Sequence, residues 1–74
     1  MHILIVDDEP LQRNLLAGFL TKQGYTVTEA ATGEEAIDRF RQLPIDLVLL
    51  DHRMPGMDGD QILAELKRIN PLAR

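Results

Sequence analysis

The sequence predicts a small α/β domain built on a three-stranded parallel sheet. Short apolar runs typical of strands alternate with longer segments of helical periodicity, in the order β-α-β-α-β-α. The first and third runs are the most hydrophobic, whereas the second alternates between apolar and polar residues. We therefore expect the spatial order 2-1-3, right-handed crossovers and helices on both faces. A chain of 74 residues leaves room for no more than one such domain.

The first strand and helix are predicted from the opening residues. The apolar run ILIV, residues 3–6, is typical of a strand buried on both faces, and it ends at the acidic pair Asp7 and Asp8. Pro10 suits the first turn of a helix, with Asp8 or Glu9 as its cap. Helical spacing then predicts an apolar stripe made of Leu11, Leu15, Leu16, Gly18, Phe19 and Leu20.

The second unit has its own start and stop signals. Gly24 is suited to end the first helix, because glycine accepts the left-handed backbone found there. Residues 25–30 alternate in polarity, which predicts an edge strand with one wetter face. Thr32 and Glu35 form a T-x-x-E capping box for a second helix, which stops before Pro44. The apolar side of that helix consists of Ala36, Ile37 and Phe40.

The third unit begins with the most apolar strand. The run IDLVLL, residues 45–50, is followed by Asp51 and by a loop rich in turn residues. A third helix is predicted to begin near Asp58 and Gly59 and to end before Pro71. Its inward side consists of Ile62, Leu63, Leu66 and Ile69.

Acidic residues stand where the first and third strands end. Because parallel strands end on the same side of a sheet, Asp7, Asp8 and Asp51 should meet in the crevice where the strand order reverses. Clustered carboxylates repel one another unless a cation neutralises them, and their oxygens favour a hard ion such as Mg²⁺. Because Mg²⁺ usually shares its shell with a phosphate, the residues favour phosphoryl chemistry. A carboxylate can also be the nucleophile that accepts a phosphoryl group.

Helix capping is the simpler explanation for several acids. Asp8 and Glu9 stand where the cap of the first helix is expected, and Asp58 stands at the predicted start of the third. Asp51 follows four apolar residues and is not placed to cap a nearby helix. The metal-site hypothesis therefore depends on the whole constellation of acids.

Composition argues against several other classes of function. The chain has no Cys, which excludes disulfides and thiolate metal sites, and His2 and His52 lack partners at metal-ligand spacing. A net charge of −4 argues against direct binding of nucleic acid by this segment. No apolar run approaches the roughly 20 residues of a membrane span, and the first residues do not resemble a signal peptide. We therefore expect a cytoplasmic protein with no membrane contact.

Two motifs resemble those of a known family. ILIVDDEP and DLVLLDHRMPGMDG are similar to the receiver domain of bacterial two-component response regulators, and the resemblance covers the whole chain. It implies a flavodoxin-like (CheY-like) fold. It also implies that Asp51 is the phosphoacceptor, that a sensor histidine kinase is the donor and that Mg²⁺ is the cofactor. The implied protein ligands of Mg²⁺ are Asp7, Asp8, Asp51 and the backbone carbonyl of Arg53.

The resemblance further implies a role in signalling. A receiver is a phosphorelay component rather than an enzyme with an outside substrate, and its phosphorylation regulates an output domain. The segment DHRMPGMDG is similar to the same segment in receivers of bacterial transcriptional activators, especially sigma-54-dependent ones. We therefore expect the output to be regulation of transcription. The Arg53 side chain would lie near the phosphoryl group and tune its hydrolysis, and Pro55 and Gly56 would shape the loop.

The sequence departs from the family in its number of units. Receivers have five βα units, whereas residues 1–74 contain three, so we expect a partial receiver, (βα)₃, without the fourth and fifth strands. The family's Ser or Thr after strand four and Lys after strand five have no counterpart here. An alternative function is therefore a module that only assembles with partners and supports no phosphotransfer. We expect a homodimer or higher oligomer through the exposed edge of the third strand.

A third hypothesis is an unrelated Mg²⁺-dependent phosphotransferase or phosphatase. Enzymes of that kind with an aspartyl nucleophile resembling D-x-D-x-T need a second Asp two positions later. Neither DDEP nor DHRM supplies it, so the sequence disfavours this class.

Overall fold

Three strands and three helices alternate along residues 1–51 and 59–69, the part of the chain that the computed structural model describes. The elements are β1 (His2–Val6), α1 (Pro10–Lys22), β2 (Thr26–Ala30), α2 (Gly33–Gln42), β3 (Leu47–Leu50) and α3 (Gly59–Ile69). All pairings are parallel, and the strand order is β2-β1-β3. The predicted fold class and strand order are therefore confirmed.

The strand β1 is the centre of the sheet. Ile3 lies opposite Val27 of β2 and Leu47 of β3, and the pairing continues in register to Val6. The side chains of β1 from Ile3 to Val6 are at most 2% exposed. This burial agrees with the prediction that an unbroken apolar run is covered on both faces.

The two faces of the sheet carry different helices. On one face, Leu4 and Val6 belong to a buried cluster with Phe40 of α2 and with Ile62 and Leu66 of α3. On the other face, Ile3 and Ile5 pack with Ala17 of α1. Burial of these side chains is the main favourable term in folding, at about 25 cal/mol per Å² of apolar surface. Within the described residues, α1 therefore covers one face by itself and α2 and α3 share the other.

The ends of α1 and α2 show how accurate the capping predictions are. Gly24 follows α1 with a φ of 95°, the left-handed conformation expected of it. Thr32 Oγ1 accepts a hydrogen bond from the Glu35 N–H at 3.1 Å, so the predicted cap of α2 is confirmed. The Glu35 carboxylate reaches back one residue further than a capping box requires, to the N–H of Ala31 at 3.3 Å.

The predicted cap of α1 is right in its position and wrong in its hydrogen bond. Pro10 is in the first turn as expected, and Glu9 is the N-cap residue, but its side chain makes no capping hydrogen bond. The Glu9 backbone N–H instead donates to Asp7 Oδ1 at 2.9 Å. The cap position is therefore organised by an acid two residues earlier, and Asp8 does not occupy it.

The apolar stripe predicted for α1 is right for Leu20 and wrong for its other members, which are exposed. Leu11, Leu15 and Phe19 are 68%, 67% and 52% exposed, whereas the side that packs on the sheet contains Ala17 and Leu20. This helix has leucines on both sides, so its periodicity predicts a helix without identifying the side that faces inward.

Two strands begin later than predicted because local turns use their donors. The Tyr25 N–H donates to Leu20 O at 3.3 Å, which holds it at the end of α1, and β2 starts at Thr26. The Ile45 N–H donates to Leu43 O at 2.9 Å, and β3 starts at Leu47.

The helices of the described residues are short. The longest is α1, and no helix in residues 1–51 or 59–69 is long and apolar enough to cross a membrane. In α3, Ile62 and Leu66 are fully buried, as predicted, and Leu63 is half-buried. The predicted inward position of the Ile69 side chain and the cap at Asp58 lie outside the described residues.

Replacing the buried Leu66 with alanine should destabilise the protein strongly. Leu66 is 0% exposed, so Leu66→Ala should leave a cavity between α3 and the sheet. The expected loss in the free energy of unfolding is about 2–5 kcal/mol, measured by urea denaturation followed by circular dichroism. Leu15→Ala is the matched control, because Leu15 is 67% exposed and its loss should be within about 0.5 kcal/mol. Equal losses for the two variants would contradict the packing of α3.

Candidate metal centre at the carboxyl edge of the sheet

Asp7 and Asp51 directly follow β1 and β3, and their backbone N–H groups continue the hydrogen bonding of the sheet by one residue. The N–H of Asp7, directly after β1, donates to Ala30 O of β2 at 3.1 Å. The N–H of Asp51, directly after β3, donates to Val6 O of β1 at 2.9 Å. Both acids are therefore held by the sheet ladder itself, and they emerge at the same edge.

Three carboxylates meet at this edge. Asp7, Asp8 and Asp51 each offer an oxygen, and these oxygens all lie within 4.8 Å of one another. Asp7 is buried at 7% exposure, Asp51 is half-buried and Asp8 is exposed. The clustering expected from the strand ends is present, with one acid anchored in the core and another open to solvent.

The conformation of Asp7 is set by three hydrogen bonds. Besides its N–H bond to β2, its Oδ1 accepts from the Glu9 N–H at 2.9 Å. Its carbonyl oxygen accepts from Arg13 Nη1 at 2.8 Å, and Arg13 Nε donates to Glu29 Oε1 at 3.1 Å. Neither Arg13 nor Glu29 was among the site residues predicted from the sequence. The sequence did contain one signal for Arg13, because this cation stands one helical turn after Glu9 and therefore on the side of α1 that faces the β1–α1 junction.

The cluster suits a small, hard divalent cation. Three carboxylates this close repel one another by about 1 kcal/mol per pair even at the dielectric constant of water, and by more where water is excluded. Oxygen donors are the ligands that Mg²⁺ prefers, and it is usually bound through one or two carboxylates and several waters. Direct contact with some of Asp7, Asp8 and Asp51 and water-mediated contact with the rest would fit this spread of oxygens.

An open groove lies beside the acids. It has a volume of about 430 Å³, and Asp7 and Asp51 line it together with Leu49 of β3 and with Gln12 and Leu16 of α1. An open groove lined by two carboxylates and by apolar side chains can admit a polar group to the acids from solvent.

Part of the predicted site lies outside the described residues. The structure says nothing of Arg53, whose backbone carbonyl the resemblance assigns to the metal, or of the Pro55 and Gly56 turn. The same applies to His52 and Asp58.

Sequence comparison links the chain to one family over almost its entire length. The family model described as the response regulator receiver domain matches residues 3–73. The chemotaxis protein CheY of Thermotoga maritima is 40% identical over 74 residues, covering 99% of this chain and 62% of that protein. The positive alginate biosynthesis regulatory protein of Pseudomonas aeruginosa is 52% identical over 69 residues, covering 89% of this chain and 28% of the regulator.

Solved structures agree with the sequence comparison. The response regulator TrrA of Thermotoga maritima, in complex with Mg²⁺-BeF, matches with a TM-score of 0.92 at 41% identity, over 99% of this chain and 64% of TrrA. TrrA in complex with the histidine kinase ThkA gives a TM-score of 0.91 at 41% identity, over 99% of this chain and 63% of that one. The chain thus spans no more than 64% of any of these proteins. By its fold and its sequence, the chain belongs to the response regulator receiver domain family.

Proposed function

We propose that Asp51 accepts a phosphoryl group from the phosphohistidine of a sensor kinase, with Mg²⁺ bound by Asp7, Asp8 and Asp51. The observation that carries this proposal is the convergence of the three carboxylate oxygens to within 4.8 Å, beside an open groove. Family membership supports the choice of chemistry, and the complex of TrrA with Mg²⁺-BeF supports the choice of cation.

The reaction is an in-line displacement at phosphorus. A carboxylate oxygen of Asp51 forms a bond to phosphorus as the bond from phosphorus to the kinase imidazole nitrogen breaks. The electron pair of that bond stays on the imidazole. A bound Mg²⁺ would neutralise charge on the phosphoryl oxygens. Asp7 and Asp8 would hold the cation, and the hydrogen bond from the Asp51 N–H to Val6 O keeps the nucleophile in place.

The partner and the output follow from the same proposal. The partner is a sensor histidine kinase, by analogy with the complex of TrrA and ThkA. The output is regulation of transcription, in keeping with a relative named as a regulatory protein of which this chain covers 28%. In this proposal the backbone carbonyl of Arg53 would also bind the metal, and the Arg53 side chain would lie near the phosphoryl group. The module is not an enzyme with an outside substrate.

We also propose that the open edge of β3 is covered by a second copy of the chain. Within the described residues β3 ends the sheet, and all four of its residues are only half-buried. An apolar edge strand with unpaired backbone groups favours pairing with another strand. Pairing of β3 with the same strand of a second copy would bury this edge in a homodimer or a higher oligomer.

Phosphorylation tests the assignment of Asp51. Incubation with acetyl phosphate and Mg²⁺ should add one phosphoryl group, detected by intact mass and mapped to Asp51 after hydroxylamine treatment. Asp51→Asn should abolish the label, because a carboxamide cannot form the acyl phosphate. Asp38→Asn, at an exposed acid of α2, is the matched control and should keep it. Unlabelled wild-type protein that is folded by circular dichroism would overturn the proposal in favour of the assembly-only function.

Magnesium should stabilise the folded protein through the acid cluster. At ten times its Kd, a ligand that binds only the folded state adds about 1.4 kcal/mol, so Mg²⁺ should raise the melting temperature. Asp8→Asn should reduce this gain. In EDTA the same variant should be more stable than wild type by up to about 1–2 kcal/mol, because it removes two repulsive charge pairs. Asp38→Asn should change neither quantity, and an equal Mg²⁺ response in Asp8→Asn would contradict the proposed ligand set.

Light scattering tests the pairing of β3. At tens of micromolar the protein should have at least twice the mass of one chain, and dilution should reduce that mass. A compact, folded monomer at the same concentration would rule out the homodimer, whether or not Asp51 is phosphorylated.

A further inference from the structure

The side chain of Arg13 connects α1 to the ends of two strands. Its Nη1 donates to the carbonyl oxygen of Asp7 at 2.8 Å, and its Nε donates to Glu29 Oε1 on β2 at 3.1 Å. The side chain is 16% exposed. Because the guanidinium is a rigid planar fork, two bonds made by different nitrogens fix its partners relative to one another.

The carbonyl that Arg13 holds belongs to the peptide between Asp7 and Asp8. A peptide unit is planar, so fixing its oxygen also fixes the direction in which the chain enters Asp8. The backbone N–H of Arg13 donates to Glu9 O at 3.0 Å, which closes the first turn of α1 just after the acidic pair. The Arg13 side chain at one end and the first turn of α1 at the other thus hold the segment that carries the two carboxylates.

We infer that Arg13 is a positioning residue for the divalent cation, and that Glu29 holds Arg13 in the required orientation. This inference rests on the proposed function. The fork holds the Asp7–Asp8 peptide so that both carboxylates converge with Asp51, although Arg13 itself does not contact the cation. Without the fork this peptide can rotate, and the acidic oxygens spread apart. Supporting groups of this kind are typically worth 10–100-fold in metal affinity.

A purely structural role predicts a different result. Arg13 also links α1 to β2, so its loss is expected to lower stability in either case. Only a positioning role changes the affinity of the protein that remains folded. A role of charge alone would be satisfied by lysine, whereas one ammonium group cannot reproduce the fork to both Asp7 and Glu29.

A Mn²⁺ titration of the folded protein separates these roles, with free Mn²⁺ measured by electron paramagnetic resonance at a temperature well below unfolding. Arg13→Met should raise the Mn²⁺ Kd by about tenfold or more. Arg13→Lys and Glu29→Gln should raise it by smaller factors. Arg39→Met and Glu34→Gln, which make the same changes on α2, should bind like wild type. Without metal, the NMR signal of the Glu9 amide should shift in Arg13→Met and not in Arg39→Met.

Each outcome of this experiment decides a different question. If folded Arg13→Met binds Mn²⁺ as tightly as wild type, the inference is wrong and the proposed function stands. If Arg13→Lys matches wild type while Arg13→Met does not, the positioning role is replaced by one of charge. If Arg13→Met does not fold, Glu29→Gln decides, and wild-type affinity there overturns the inference. If folded wild-type protein binds no Mn²⁺, the proposed metal site fails, and this inference with it.

Discussion

The parallel pairing of β1 with a strand on each side is the interaction on which the rest of the structure depends. Val6 pairs with Ala30 of β2 and with Leu50 of β3, so all three strands end at the same edge of the sheet. The acid cluster is a direct consequence of that register. Because side chains alternate along a strand, a slip of β3 by one residue would turn Asp51 to the opposite face, away from the other acids.

The strand order and the acid cluster could be predicted because both follow from local composition and one general rule. ILIV and LVLL are apolar enough to occupy buried strands, and parallel strands end on the same side. An acid directly after each run must then lie at the same edge. The helix boundaries were predictable for similar reasons, since Pro10, Thr32 and Gly24 each suit a single position at a helix end.

Other features could not be predicted from the sequence, because they depend on contacts between residues far apart in the chain. Periodicity places leucines on both sides of α1, and only packing on the sheet decides that Ala17 faces inward while Leu15 does not. The link from Arg13 to Glu29 spans 16 residues and needs the crossover between β1 and β2 to form. The hydrogen bond from the Glu9 N–H to the Asp7 carboxylate was equally hard to predict, because Asp8 and Glu9 stand nearer to the start of α1.

The site and the fold are coupled through Asp7. Holding a carboxylate at 7% exposure beside two others has an electrostatic cost, and packing of the apolar strands that carry them offsets it. A small domain has little stability in reserve, so even about 1 kcal/mol of repulsion per pair of carboxylates matters to it. Anything that neutralises the cluster therefore also stabilises the sheet beneath it. By this coupling, a cation bound at the carboxyl edge would stabilise the β-sheet, and the intact sheet would keep the binding carboxylates together.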